Sequence, residues 1–189
     1  MAAWLLPRSP RGFSWPYIAL TLVATDQMKE ILALVDLALR SHGFKKRSQV
    51  FEAKRGNITL LISLQTSTKN AGHRTRFTVN LGLVCGDLVD HRVDVEKLQV
   101  EHAQLRIRLG RLLDPPGDKW WELTSSDGGV ALGDEVASLL IHRGLPYLER
   151  FASYRALIEL WESGQSPGLT EGQRLKYLAQ LKALDAKAQ

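Results

Sequence analysis

Five polar side chains interleaved with apolar runs carry the most usable chemistry in this chain of 189 residues: Gln65, Thr78, Asn80, Arg106 and Arg108. Residues i and i+2 of a strand share a face. Gln65 at the end of one alternating run, Thr78 and Asn80 in the next, and Arg106 and Arg108 in a third can therefore converge on one side of a sheet. Carboxamides supply donors and an acceptor, and a guanidinium presents a planar fork of donors. The set suits a carboxylate or phosphate better than it suits bond breaking. Trp120 and Trp121 are adjacent, so on a strand they point to opposite faces, and one of them can wall this surface. The competing reading is structural: the arginines pair with acids such as Glu101 or Glu122, and the amides bond to loop backbone.

A catalytic constellation is harder to assemble. The five histidines, His42, His73, His91, His102 and His142, show no HxH or HExxH spacing, so no metal site is expected. Cys85 would need a histidine brought close in space, His73 or His102 by position, to act as a thiolate; an inert, buried cysteine is the alternative. As the single cysteine it excludes an internal disulfide and a CxxC pair, which fits a reducing compartment. Ser125-Ser126-Asp127-Gly128-Gly129 lacks the Gly-Lys-Ser/Thr of a phosphate loop and reads as a turn. No cofactor is expected, and the balance leans away from an enzyme.

The net charge of +5 is unevenly spread. Between positions 45 and 76, Lys45, Lys46, Arg47, Lys54, Arg55, Lys69, Arg74 and Arg76 face Glu52 alone, whereas residues 131–189 carry seven charges of each sign. Lys69, Arg74 and Arg76 are the candidates for a basic surface that attracts phosphate or an acidic protein. Solvated strand edges, where lysines discourage edge pairing, explain the same residues. Specific nucleic-acid binding is not expected: aromatics near the basic strands are few, and in residues 93–130 seven acids interrupt the track against five bases.

Helical spacing of Met28, Ile31, Leu32, Val35, Ala38 and Leu39 predicts a helix over residues 26–41, stopped by Gly43. Strands follow over 45–54, 58–66 and 76–84, the first two joined by the Arg55-Gly56-Asn57 turn. A fourth covers 105–109 and a fifth or short extended edge 119–123, beyond the break at Asp114-Pro115-Pro116-Gly117. The remainder is helical: 131–143 ended by Gly144, a helix from Pro146 to about 163, and a last one opened by a Thr170/Gln173 capping box. This order predicts an α+β fold, an antiparallel sheet of four or five strands with an N-terminal helix and C-terminal helices on its apolar face. One domain is expected over 28–189. Residues 1–27 read as an extension outside it; a docked strand or a weak secretory signal is the alternative, and the apolar run at 15–24 is too short to span a bilayer.

Gly43-Phe44-Lys45-Lys46, Gln65, Val79-Asn80-Leu81-Gly82, Arg106-Ile107-Arg108-Leu109-Gly110, Trp120-Trp121 and Gly144-Leu145-Pro146-Tyr147-Leu148, in that order and spacing, resemble the bacterial domain of unknown function 4304 family over about residues 28–161. The resemblance implies a fold and a cytoplasmic bacterial setting, and no catalytic residues to carry over. The functional expectation is a non-enzymatic binding or accessory module, of the immunity type, that caps an acidic partner. The alternative is a small enzyme or ligand binder for an anionic metabolite held by Asn80, Arg106 and Arg108, and the third is a weak nucleic-acid binder.

Overall fold

The structure, a computed structural model, describes residues 15–67, 75–94, 97–123 and 128–188, with backbone alone for 15–25 and 187–188. Lys69, His73, Arg74 and residues 124–127 lie outside the described residues.

Helix α1 spans Trp15–Arg40. Met28, Ile31, Leu32, Val35 and Leu39 are its buried stripe, as the spacing predicts. It ends in a Schellman arrangement: Phe44 N–H bonds to the Leu39 carbonyl at 3.3 Å, Gly43 N–H to Arg40 at 3.0 Å, and Gly43 takes φ +80°. Its start differs from the expected Asp26. Between Trp15 and Asp26 the sequence has no glycine, and Pro16 falls in the first turn, where its missing N–H costs nothing.

The sheet has six strands: β1 (Lys45–Arg47), β2 (Val50–Arg55), β3 (Ile58–Thr66), β4 (Thr75–Cys85), β5 (Leu105–Arg108) and β6 (Trp121–Leu123). All pairings are antiparallel, in the order β1-β2-β3-β4-β5, with β6 also on β4. The expected strand over 45–54 is two, because Ser48 takes φ 57° and folds the chain back so that Arg47 faces Val50. On β4, β5 pairs with Asn80–Leu83 and β6 with Thr75–Phe77.

One face of the sheet is the core. Phe77, Val79, Leu81 and Leu83 are fully buried, in one cluster with α1 and the C-terminal helices. The other face is less polar than its alternation suggests, since Val50, Leu61 and Val84 lie under Leu98, Val100 and Ala103. Gly82 permits that cover: a Cβ there would sit 3.0 Å from Ala103 Cβ and 3.1 Å from Val100 Cγ1.

Helix α2 (Gly129–Leu139) crosses α1 closely at Gly129 and Gly133; a Cβ on Gly133 would stand 2.6 Å from Leu34 Cδ1. Helical backbone then continues through a π turn at Leu140–Gly144 into α3 (Leu145–Arg150), so Gly144 is no stop. It has φ −67° and ψ −52°, and its missing side chain lets the helix settle against Leu81 and Leu109. The expected single helix over 146–163 breaks after Arg150, and Ser153 caps α4 (Tyr154–Glu162) by accepting Ala156 N–H at 3.2 Å. The Thr170/Gln173 capping box opens α5 (Glu171–Ala188). Arg174 pins α5 to α4 by donating to the Trp161 carbonyl.

Val79 lies at the centre of β4 with no exposed surface. Val79→Asp places an uncompensated carboxylate in the core and is expected to lower stability by about 4 kcal/mol or more. An unchanged melting temperature would refute the assignment of this face as core.

Candidate functional site

The register of the three central strands builds the site. Ser63, Asn80 and Arg108 stand opposite one another across β3, β4 and β5, and Leu61, Gly82 and Arg106 form the next row. Gln65 is the diagonal neighbour of Asn80 on the same face. Gln65, Asn80, Arg106 and Arg108 therefore line one cavity of about 210 Å³, together with Val100 and Glu101 from the 3₁₀ turn Val100–His102. A second cavity of about 170 Å³ shares Gln65, Asn80 and Glu101 and adds Gln49, Ser63 and Gln99. The two form a trough across the strands, with Glu101 reaching both parts and Arg106 and Arg108 at the β5 end.

The polar groups are held in place. Asn80 Nδ2 donates to Gln65 Oε1 at 2.9 Å. Arg106 donates to the backbone carbonyls of Glu101, at 3.2 Å, and Gly168, while its own N–H bonds to the Pro167 carbonyl at 3.0 Å. No carboxylate among the described residues stands at ion-pairing distance from Arg106. Gly168 has φ +85°, and a Cβ on it would come within 2.7 Å of Arg106 Cβ. Arg108 pairs with Asp118 and lies 5.2 Å from the centre of the Trp120 ring, whose Nε1 donates to Asp118 at 3.2 Å. The Arg108 hydrogen bond, helped by Trp120 and opposed by desolvation, holds the Asp118 carboxyl below the usual carboxylate range.

The other sequence candidates are placed elsewhere. Thr78 is fully buried and donates to the Lys119 carbonyl at 3.0 Å, because the segment before β6 lies over it. The two tryptophans divide as their adjacency requires. Trp120 stays half-exposed beside Arg108, while Trp121 enters the core, stacked on Phe77 at 5.5 Å with its Nε1 on Glu135. Arg76 stands 4.0 Å from Glu122. Of the pairings anticipated for the arginines, Arg106 takes carbonyls in place of an acid, and Arg108 takes Asp118 in place of Glu101 or Glu122. Gln49, Gln99 and Asp118 escaped the sequence reading. Gly82, between Asn80 and Val84 on the outward register, was the signal that another segment approaches this face.

The thiol weighed above as a nucleophile lies in the core. Cys85 is fully buried, and desolvation pushes its thiol up to about 11. His102 uses Nδ1 to accept the Gln99 N–H at 3.0 Å. Among the described residues no group of three His, Cys, Asp or Glu is placed to hold a metal ion, and no helix is long and apolar enough to cross a membrane.

Fold and face together define an α+β domain with helices on one side of an antiparallel sheet and a polar trough on the other. The chain belongs to the family described as Domain of unknown function (DUF4304), whose model matches residues 35–150. No curated protein and no solved structure matches it.

Two outcomes test this geometry. The Cys85 thiol is raised above the ~8.5 of an unfolded cysteine, so its contribution to stability is complete below that value and is lost as pH rises through about 11. Melting temperatures of Cys85→Ala should fall less steeply than wild type from about pH 8.5 upward, and parallel curves would show the thiol is not buried. Gly168→Ala combines positive φ with a close approach to Arg106 and should cost about 1–3 kcal/mol; an unaltered urea midpoint would place residues 167–169 away from β5.

Proposed function

We propose that this protein is a cytoplasmic binding or accessory module rather than an enzyme, with the outward sheet face around Asn80, Arg106 and Arg108 as its surface for an acidic protein partner. An immunity-type protein, which caps such a partner, is the form this takes. The observation that carries the reading is the guanidinium of Arg106: it is fixed by two carbonyls and neutralised by no carboxylate among the described residues. A cation oriented in advance loses little freedom when an anion arrives. Lys45, Arg47, Lys54 and Arg76 join Arg106 and Arg108 on this face by register, against Glu52 and Glu122 and the nearby Glu101 and Asp118, and the excess of positive charge steers an acidic surface toward it.

A second reading has one specific observation in its favour. The cavity of about 210 Å³ has both arginines and Asn80 in its lining, a donor set that suits a small carboxylate or phosphate.

The two separate on arginine variants. A partner captured from the native cell and then purified should bind wild type at least tenfold more tightly than either Arg106→Ala or Arg108→Ala, with the circular-dichroism spectrum unchanged. Equal affinity would remove the face from the interaction. Stabilisation of wild type by a single phosphate or carboxylate metabolite in a thermal-shift screen, abolished in Arg108→Ala, would establish the second reading instead.

A further inference from the structure

We infer that the segment received by this trough is an extended acidic peptide laid across the strands, with a backbone amide on the Gln65–Asn80 pair and a side-chain carboxylate on the Arg108 N–H groups that the Nη1 bond to Asp118 does not take. The inference rests on the binding reading above and specifies the chemistry of the partner.

The unpaired groups of the carboxamides carry it. The bond from Asn80 Nδ2 to Gln65 Oε1 fixes both amide planes. It leaves Gln65 Nε2 as a donor and Asn80 Oδ1 as an acceptor, neither with a partner among the described residues. An ionised carboxylate or a fully ionised phosphate ester can accept from Gln65 but has no proton for Asn80 Oδ1, and would bring oxygen against oxygen. A peptide group offers one N–H and one carbonyl and satisfies both.

The order of groups along the trough agrees. Gln49, Ser63 and Gln99 line the β2–β3 end, where Glu101 is the one charged residue among the described lining, and the two guanidinium groups lie at the β5 end. Asn80 and Arg108 are directly opposite on neighbouring strands, a separation of about 5 Å. One or two residues of extended chain, at roughly 3.3 Å each, bridge from the paired amide to the carboxylate. The sheet edges do not favour adding the peptide as an extra strand. Pro167 already occupies the Arg106 N–H on the outer edge of β5, and β1 has three residues, two of them exposed lysines.

The probe is fluorescein-labelled tetra-aspartate, followed by anisotropy against the full chain, with butanetetracarboxylate and a 12-nucleotide single-stranded DNA as competitors. Saturable binding is expected, weakened at least tenfold in Gln65→Ala, Gln65→Met, Asn80→Ala and Arg108→Ala. The tetracarboxylate, equal in side-chain charge but without peptide groups, should compete at least tenfold less well than unlabelled tetra-aspartate. Melting temperatures identify any variant that fails to fold, and Gln65→Met removes the amide at nearly constant volume. If Arg108→Ala loses binding while the three carboxamide variants match wild type, charge alone holds the ligand; this inference is overturned and the binding reading stands. If all four variants bind as wild type, both are overturned. Absence of saturable binding, or more effective competition by the DNA than by the peptide, also overturns the inference.

Discussion

Strand β4 carries the molecule. Its residues pair with β3 along one edge and with β5 and β6 along the other, so its backbone groups are satisfied within the sheet over nearly the whole strand. Its alternate side chains, Phe77, Val79, Leu81 and Leu83, are the buried floor on which the helices sit. Because the pleat has a period of two, burying that set fixes the other at once. Asn80 must face outward, and the pairing with β5 must set Arg108 beside it. The site is thus the obverse of the core, and a slip of one residue would destroy both together.

Small residues set how closely the layers approach that strand. Gly82 admits the 98–103 segment, Gly133 brings α2 onto α1, and Gly144 lets the helical run settle on Leu81. In each place a side chain would push two backbones or a packed leucine apart. Interiors packed at crystal-like density transmit such shifts. The ion pairs, by contrast, are mostly exposed, and pairs of that kind contribute little to stability.

Much of this was legible in the sequence. The stripe Met28 to Leu39 with Gly43 announced α1 and its end, alternation located β3 and β4, and Thr170 with Gln173 announced α5. The convergence of Gln65, Asn80, Arg106 and Arg108 also followed from alternation, once three strands were placed side by side. Long-range packing hid the rest. Serine carries no signal for positive φ, so the β1–β2 hairpin at Ser48 read as one strand. Gly144 looked like a terminator, but its role is to leave room. Thr78 has the right parity for the site and lost it to a segment 41 residues away. The cover over Leu61 and Val84 announced itself only as apolar residues on a nominally polar register.

The contacts of Pro167 and Gly168 with Arg106 cross a boundary that the family match draws. The family match ends at residue 150, yet Arg106 is held from residues 167 and 168, in the connection between α4 and α5. Substitutions in that connection reach the guanidinium through the Gly168 carbonyl. The aim of a guanidinium inside the matched segment is thus set from the chain that follows it, which shares the same buried cluster through Leu157, Trp161 and Leu181.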